Sequence, residues 1–330
     1  MKIYNSDSKK YFSKLLKSNQ YSGYAGCKLS YISQQIGNHS GKIANILILI
    51  CGLLFFEFQV HAQRTAVVLN PDDKPAFAAA PEGFDIIREN ISHGKIDSVE
   101  YISKTVGTKR KMLIYTPPGY SVDRKYPVFY LLHGIGGDHL EWYKNGSPQV
   151  ILDNLYADKK IVPMIVVFPN GRAMKDDRPT GNIFDSVKVK AFADFEGDLL
   201  NDIIPFVESK YPVIADRENR AIAGLSMGGG QALNFGLGNL KTFAWIGGFS
   251  SAPNTKTPEV LVPNPSETAQ KLKLLWISCG DHDGLISYSQ KLHRYLKENN
   301  VPHIWHVEPG VHDFKVWKSD LYYFSQVLFK

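Results

Sequence analysis

At 330 residues with 44% hydrophobic side chains, the chain is long enough for one large globular domain plus an appendage. Its formal charge of +6 is unevenly spread: residues 1–62 hold seven of the 38 basic side chains but only Asp7 and Glu57 of the 32 acidic ones, leaving 31 against 30. So balanced a remainder gives no support to a nucleic-acid partner or an anionic surface, and assigns the excess charge to targeting.

In chain order, a polar, basic stretch precedes Lys42 and a nearly continuous apolar run over 43–56, followed by Val60-His61-Ala62-Gln63. This is the pattern of a secretory signal, with cleavage expected after Ala62. The run is short for a membrane span, so no stable membrane association is expected after cleavage, although a retained anchor is the competing reading. Ile50 is bulky where lipid attachment at Cys51 would need a small residue. The mature protein is expected to be secreted or periplasmic. Residues 1–62 are thus assigned to a signal peptide with a long basic extension, 63–82 to an irregular lead-in without a core, and 83–330 to one domain. Cys27 and Cys51 fall in the segment to be lost. Cys279 then has no internal disulfide partner, and its place at the end of an apolar run marks a buried structural thiol.

Within the domain, 99–105 and 111–115 read as strands that can pair as a hairpin, with a turn at Pro117-Pro118-Gly119-Tyr120. The runs 128–132 and 164–168 are short and wholly apolar, as strands covered on both faces are. Helices are expected at 148–157, 192–209, 229–236, 286–299 and 317–328. Further strands are expected at 220–223, 244–249, 273–278 and 303–307. The alternation predicts an α/β fold with one mostly parallel central sheet and helices on both faces, without internal repeats or a second domain.

Chemistry concentrates at Gly224-Leu225-Ser226-Met227-Gly228, a G-x-S-x-G pentapeptide between a strand-like and a helix-like run. A serine on so sharp a turn needs glycine neighbours, and the following helix directs its amino-terminal dipole at the reacting centre. The hydroxyl is a weak nucleophile without a base in reach. In the order serine, acid, histidine, the downstream candidates are His282, His293, His303, His306 and His312. His293 lies in a helical pattern, His303 and His306 on a strand, and His282 where the acid belongs. His312 follows the last strand in the Pro309-Gly310-Val311 loop and is the expected base. For the acid, Gly280-Asp281-His282-Asp283-Gly284 offers Asp281 and Asp283, between which the pattern does not choose. The oxyanion donors are expected from the backbone of Met227 and of Ile135 in His133-Gly134-Ile135-Gly136-Gly137, with His133 structural. Asp138, Trp142 and Trp317 are candidate substrate contacts, with packing an equally good account of each. A metal centre drawn from Asp281, His282, Asp283, His303 and His306 matches no zinc spacing, so no metal is expected.

Several separated motifs together resemble the feruloyl esterases of carbohydrate esterase family one, especially the esterase domains attached to bacterial xylanases. They are Tyr130-Leu131-Leu132-His133-Gly134-Ile135-Gly136-Gly137, Arg220-Ala221-Ile222-Ala223-Gly224-Leu225-Ser226-Met227-Gly228-Gly229-Gly230-Gln231, Cys279-Gly280 with Asp283, and His312-Asp313-Phe314 with Val316-Trp317. The resemblance runs from about residue 83 to the carboxyl end. It implies an α/β-hydrolase fold, no cofactor, Asp283 rather than Asp281 as the acid, and hydrolysis of ferulate and related hydroxycinnamate esters on arabinoxylan or its oligosaccharides. The family also holds acetylxylan esterases, siderophore trilactone esterases and mycolyl transferases, so acetyl ester hydrolysis and acyl transfer are the alternatives it implies.

Overall fold

Runs of apolar residues with no polar face can be strands only where both faces are covered, and Val128–Leu132 (β3) and Ile165–Pro169 (β4) are buried at every position. The computed structural model describes residues 67–330. The expected signal, Cys27, Cys51 and the first residues of the lead-in lie outside that range.

Eight strands form one sheet: Lys95–Ser103 (β1), Thr108–Thr116 (β2), β3, β4, Arg220–Leu225 (β5), Trp245–Phe249 (β6), Leu274–Gly280 (β7) and Ile304–Glu308 (β8). Their order is β1-β2-β4-β3-β5-β6-β7-β8. β1 and β2 pair antiparallel, as the hairpin reading expects, and β2 runs antiparallel to β4. From β4 to β8 every pairing is parallel. Because the chain leaves β3 for β4 on one side and returns to β5 on the other, the strand order reverses at β3, and in sheets of this kind ligands bind outside the carboxyl ends of the strands at that point. The fold is that of an α/β-hydrolase.

The helices that cover the sheet are Pro148–Ala157 (α1), Ser186–Asp198 (α2), Ile204–Lys210 (α3), Met227–Gly238 (α4), Pro258–Leu261 (α5), Pro265–Lys271 (α6), Ile286–Glu298 (α7) and Phe314–Val327 (α8). The single helix expected at 192–209 is α2 and α3 joined by a π-helical turn, Leu199–Ile203, and it starts earlier, where the Asp185 carboxylate accepts from Val187 N–H at 2.9 Å. Its first residues are largely exposed and carry no apolar stripe. Two short helices, α5 and α6, each with proline in the first turn, have no periodic signal of their own. Two apolar clusters, one on each face of the sheet, make up the core.

The lead-in has neither helix nor strand, but it is not the coreless tether expected. Phe77 stacks on Trp276 and Tyr323 at 5.4 and 4.9 Å, Ala76 N–H donates to His306 Nδ1 at 3.0 Å, and the Trp305 indole donates to Asp73 at 3.1 Å. One aromatic ring and a few hydrogen bonds fix the segment, too sparse a pattern to read as periodicity.

Candidate active site

Between β5 and α4 the backbone turns through Ser226 at φ 52° and ψ −117°, a conformation that side chains other than glycine rarely adopt. Hydrogen bonds hold it there: Ser226 N–H donates to Phe249 O at 2.9 Å, and Ser226 O accepts from Gly230 and Ala252 N–H. The flanking glycines are required by close approach. A Cβ on Gly224 would lie 2.6 Å from the Gly228 backbone, and one on Gly228 would lie 2.5 Å from His133 O. This wedges the elbow against the loop that follows β3.

At the other end of the site, the loops after β7 and β8 meet backbone to backbone. Asp281 N–H donates to Glu308 O, His282 N–H to Gly310 O, and Gly310 N–H to the Asp281 carboxylate, each at 2.9 Å. Asp281 thereby ties the two loops together. Asp283, 1% exposed, accepts from Leu285 N–H at 2.8 Å and from His312 Nδ1–H at 2.7 Å. His312 Nε2 is 2.9 Å from Ser226 Oγ. With Nδ1 carrying a proton toward the carboxylate, Nε2 presents its lone pair to the serine hydroxyl. Burial opposes the Asp283 charge, but the His312 hydrogen bond and charge and the Leu285 N–H outweigh it and hold the carboxyl below its usual range. The His312 ring sits edge-on to Trp317 at 4.9 Å, which fixes its tilt.

The loop after β3 carries the second expected donor. Gly134 O accepts from His133 Nδ1–H at 2.7 Å and from Gly137 N–H at 3.2 Å, while Gly134 N–H donates to the Glu141 carboxylate at 2.7 Å. In a trans peptide the N–H of Ile135 points opposite to that anchored carbonyl. Among the described residues no protein acceptor takes the N–H of Ile135 or of Met227. A Cβ on Gly134 would lie 3.5 Å from Ser226 Cβ, which puts this loop beside the serine. Next to both donors, Phe192, Met227 and Ala252 are buried together, with Ile135, Val189 and Leu285 packed against them. The sequence pattern offered no signal for Glu141, whose partner is a backbone N–H, or for Val189, Leu285 and Arg172, whose roles arise from distant parts of the chain meeting.

His133 is structural, as expected: its Nδ1–H is donated to Gly134 O, its Nε2 accepts from Gly171 N–H at 2.8 Å, and burial lowers its pKa to about 4. Two of the expected substrate contacts are corrected. Trp142 is 1% exposed, donates to Leu132 O at 3.0 Å and packs edge-on against Phe314. Trp317 is 6% exposed beneath His312. Neither presents a ring to a ligand. Asp138 is half-buried and accepts from Leu140 N–H at 2.8 Å. Cys279 is buried, and burial pushes its thiol pKa well up.

The other histidines downstream of Ser226 are engaged elsewhere: His282 against Asp281, and His293 with His303 and Asp72. Among the described residues, His306, Glu308 and Asp320 have ligand-like spacing, their atoms lying within 4.8 Å of one another. But His306 Nδ1 accepts from Ala76 N–H, so Nε2 holds the proton, whereas a ligating histidine donates its other N–H and leaves a lone pair for the metal. Burial pushes Glu308 up to about 7 and, together with Glu308, raises Asp320 strongly, as suits two protonated acids.

Sheet and elbow define the class: an α/β-hydrolase. The chain belongs to the Esterase family, whose model matches residues 103–325. It is 30% identical over 258 residues to an endo-1,4-beta-xylanase/feruloyl esterase of Xylanibacter ruminicola, covering 76% of this chain and 34% of that protein, so it spans about a third of that relative's length. An acetyl esterase of Caldicellulosiruptor saccharolyticus is 27% identical over 229 residues, covering 58% of this chain and 79% of that one. Among solved structures, a CE1 ferulic acid esterase from Anaeromyces mucronatus in complex with ferulic acid superposes with a TM-score of 0.68 at 26% identity, covering 76% of this chain and 96% of the other.

Proposed function

We propose that the protein is a serine esterase that releases hydroxycinnamate, ferulate above all, from plant cell-wall arabinoxylan or its oligosaccharides, acting after export. The observation that carries the reading is the series Asp283–His312–Ser226, with contacts of 2.7 and 2.9 Å at the carboxyl ends of three strands of one sheet. His312 Nε2 takes the hydroxyl proton as Ser226 Oγ attacks the ester carbonyl. The N–H groups of Met227 and Ile135 receive the oxyanion. Collapse returns the proton from His312 to the leaving sugar oxygen and leaves an acyl-enzyme. Water, activated by the same imidazole, then releases the acid. Asp283 keeps the tautomer and offsets the imidazolium charge.

Support for an aromatic acyl group comes from the partly exposed apolar side chains of Ile135, Val189 and Leu285, which pack on the buried Phe192, Met227 and Ala252 next to Ser226, and from the likeness to ferulic acid esterases. Asp138 is the polar candidate at its edge. The likeness to an acetyl esterase favours a second reading, a short-acyl esterase of the same mechanism. Among the described residues no helix is long and apolar enough to cross a membrane.

A panel of methyl ferulate, methyl p-coumarate, methyl sinapate, an acetyl ester and a feruloylated arabino-oligosaccharide tests the assignment. The hydroxycinnamates are expected to give the highest kcat/KM, and activity confined to the acetyl ester would overturn the feruloyl reading. Ser226→Ala is expected to abolish all of it.

A further inference from the structure

Arg172 is completely buried, yet its guanidinium forms no hydrogen bond to a carboxylate. Its two Nη groups donate to backbone carbonyls instead, while Nε has no partner: Nη2 donates to Ile135 O at 2.6 Å, and Nη1 donates to Gly137 O at 3.3 Å and Asp177 O at 2.9 Å. Two of these three acceptors lie in the five-residue loop beside Ser226, and the third lies on the loop after β4. The guanidinium also stacks over Phe192, 5.0 Å from its centroid, and Phe192 belongs to the apolar group containing Met227 and Ile135. The carboxylates of Asp177, Asp138 and Glu141 act on the charge through space, without a hydrogen bond to it, which makes its burial tolerable.

The loop consequence follows from peptide geometry. His133 and Gly137 fix the carbonyl of the peptide that bears Ile135 N–H, and Arg172 fixes the carbonyl of the next peptide. With both peptides flanking Ile135 anchored, its φ and ψ have no remaining freedom. Glycine at 134, 136 and 137 gives the loop none of its own rigidity. Only a planar fork reaches residues 135, 137 and 177 at once; an ammonium is a point donor.

We propose that Arg172 is a positioning residue for the oxyanion hole: its guanidinium locks the Ile135 peptide so that the N–H is pre-aimed at the tetrahedral intermediate. The inference rests on the Ser226–His312 reading of the site. It predicts a defect in the transition state with little change in the ground state, since the loop's N–H meets charge only as the oxyanion forms.

Arg172→Met and Arg172→Lys are to be assayed with methyl ferulate and 4-nitrophenyl acetate, with active protein counted by titration and folding checked by thermal melting. The expected result for Arg172→Met is a fall in kcat of about 10²-fold with KM within about threefold, and a smaller fall for Arg172→Lys. Inhibition by phenylboronic acid, which forms a tetrahedral adduct on the serine, is expected to weaken by the same factor as kcat/KM, while ferulate binding stays within about threefold. Should Arg172→Met not fold, Arg172→Lys carries the test alone. Activity within threefold of the parent in the folded variants, or equal weakening of boronate and ferulate, would overturn the proposal. Neither outcome touches the serine mechanism, which stands or falls on Ser226→Ala.

Discussion

Replacing Asp283 by asparagine changes one atom in a buried site, and the structure says what that atom does. The carboxylate accepts twice, from Leu285 N–H at 2.8 Å and from His312 Nδ1–H at 2.7 Å. An amide has only one acceptor end. If its oxygen stays with Leu285, its NH2 faces Nδ1 and drives the proton to Nε2, where the ring can no longer accept from Ser226 Oγ. If it turns the other way, two donors confront each other at Leu285, at roughly 1–3 kcal/mol, and the imidazolium of the transition state has lost its buried counter-charge. Either way kcat/KM is expected to fall by about 10³–10⁴-fold, or ~4–5.5 kcal/mol at about 1.4 kcal/mol per decade. Asp281→Asn is the control. The Asp281 oxygen that accepts from Gly310 N–H survives as an amide oxygen, and the expected loss is under about fivefold. Steady-state kinetics on methyl ferulate at neutral pH compare the two. The reasoning is refuted if Asp281→Asn loses more than Asp283→Asn, or if Asp283→Asn keeps above a tenth of the parent rate.

Gly228→Ala puts a Cβ 2.5 Å from His133 O and 2.7 Å from Leu132 O, backbone atoms that cannot step aside, so a loss of ~4 kcal/mol in chemical denaturation is expected along with most of the activity. Trp142→Phe leaves Leu132 O without its indole donor and should cost about 2–4 kcal/mol of stability with KM unchanged; a raised KM at unaltered stability would restore Trp142 as a substrate contact. Stability should also depend on pH. Burial lowers His133 and His306 to about 4, so between about 4 and 6.5 the unfolded chain binds the protons that the native protein refuses. Each histidine therefore contributes stability that is lost as pH falls through this window, at up to ~1.4 kcal/mol per pH unit. Glu308, raised by burial to about 7, works in the opposite direction: the native protein keeps its proton from about 4.5 to 7 while the unfolded chain releases it, so stability is lost as pH rises. Asp320, raised by burial and by Glu308, acts in the same sense as Glu308. Glu308→Gln should therefore make the slope of melting temperature against pH more positive between pH 4.5 and 6.5, and an unchanged slope would refute this accounting.

The strands were legible because β3, β4 and β5 are apolar at nearly every position, and a short run of that kind has few other places to go. The Ser226 turn was legible because its strained backbone imposes glycine on both sides, a local demand that leaves a local mark. Order along the chain then singled out His312. Between Asp281 and Asp283 the residue pattern alone was silent, since both lie in one loop with the same chemistry; only the resemblance chose. In three dimensions the two part company, Asp283 turning inward to the imidazole and Asp281 stapling the loops after β7 and β8. Trp142 and Trp317 went astray for a related reason: an aromatic residue near a motif in sequence gives no indication of which way its ring faces, and here both rings face the core. Arg172 and Glu141 had no sequence signature at all. Their partners are backbone atoms, and a hydrogen bond to a carbonyl or an amide places no requirement on that residue's identity. What the sequence determined by itself was therefore whatever local sterics or burial forces a residue type to satisfy: the sheet, the elbow and the order of its partners. What only the tertiary structure decided was which polar groups converge, because convergence depends on the parallel strands, whose order reverses at β3, bringing distant loops together at their carboxyl ends.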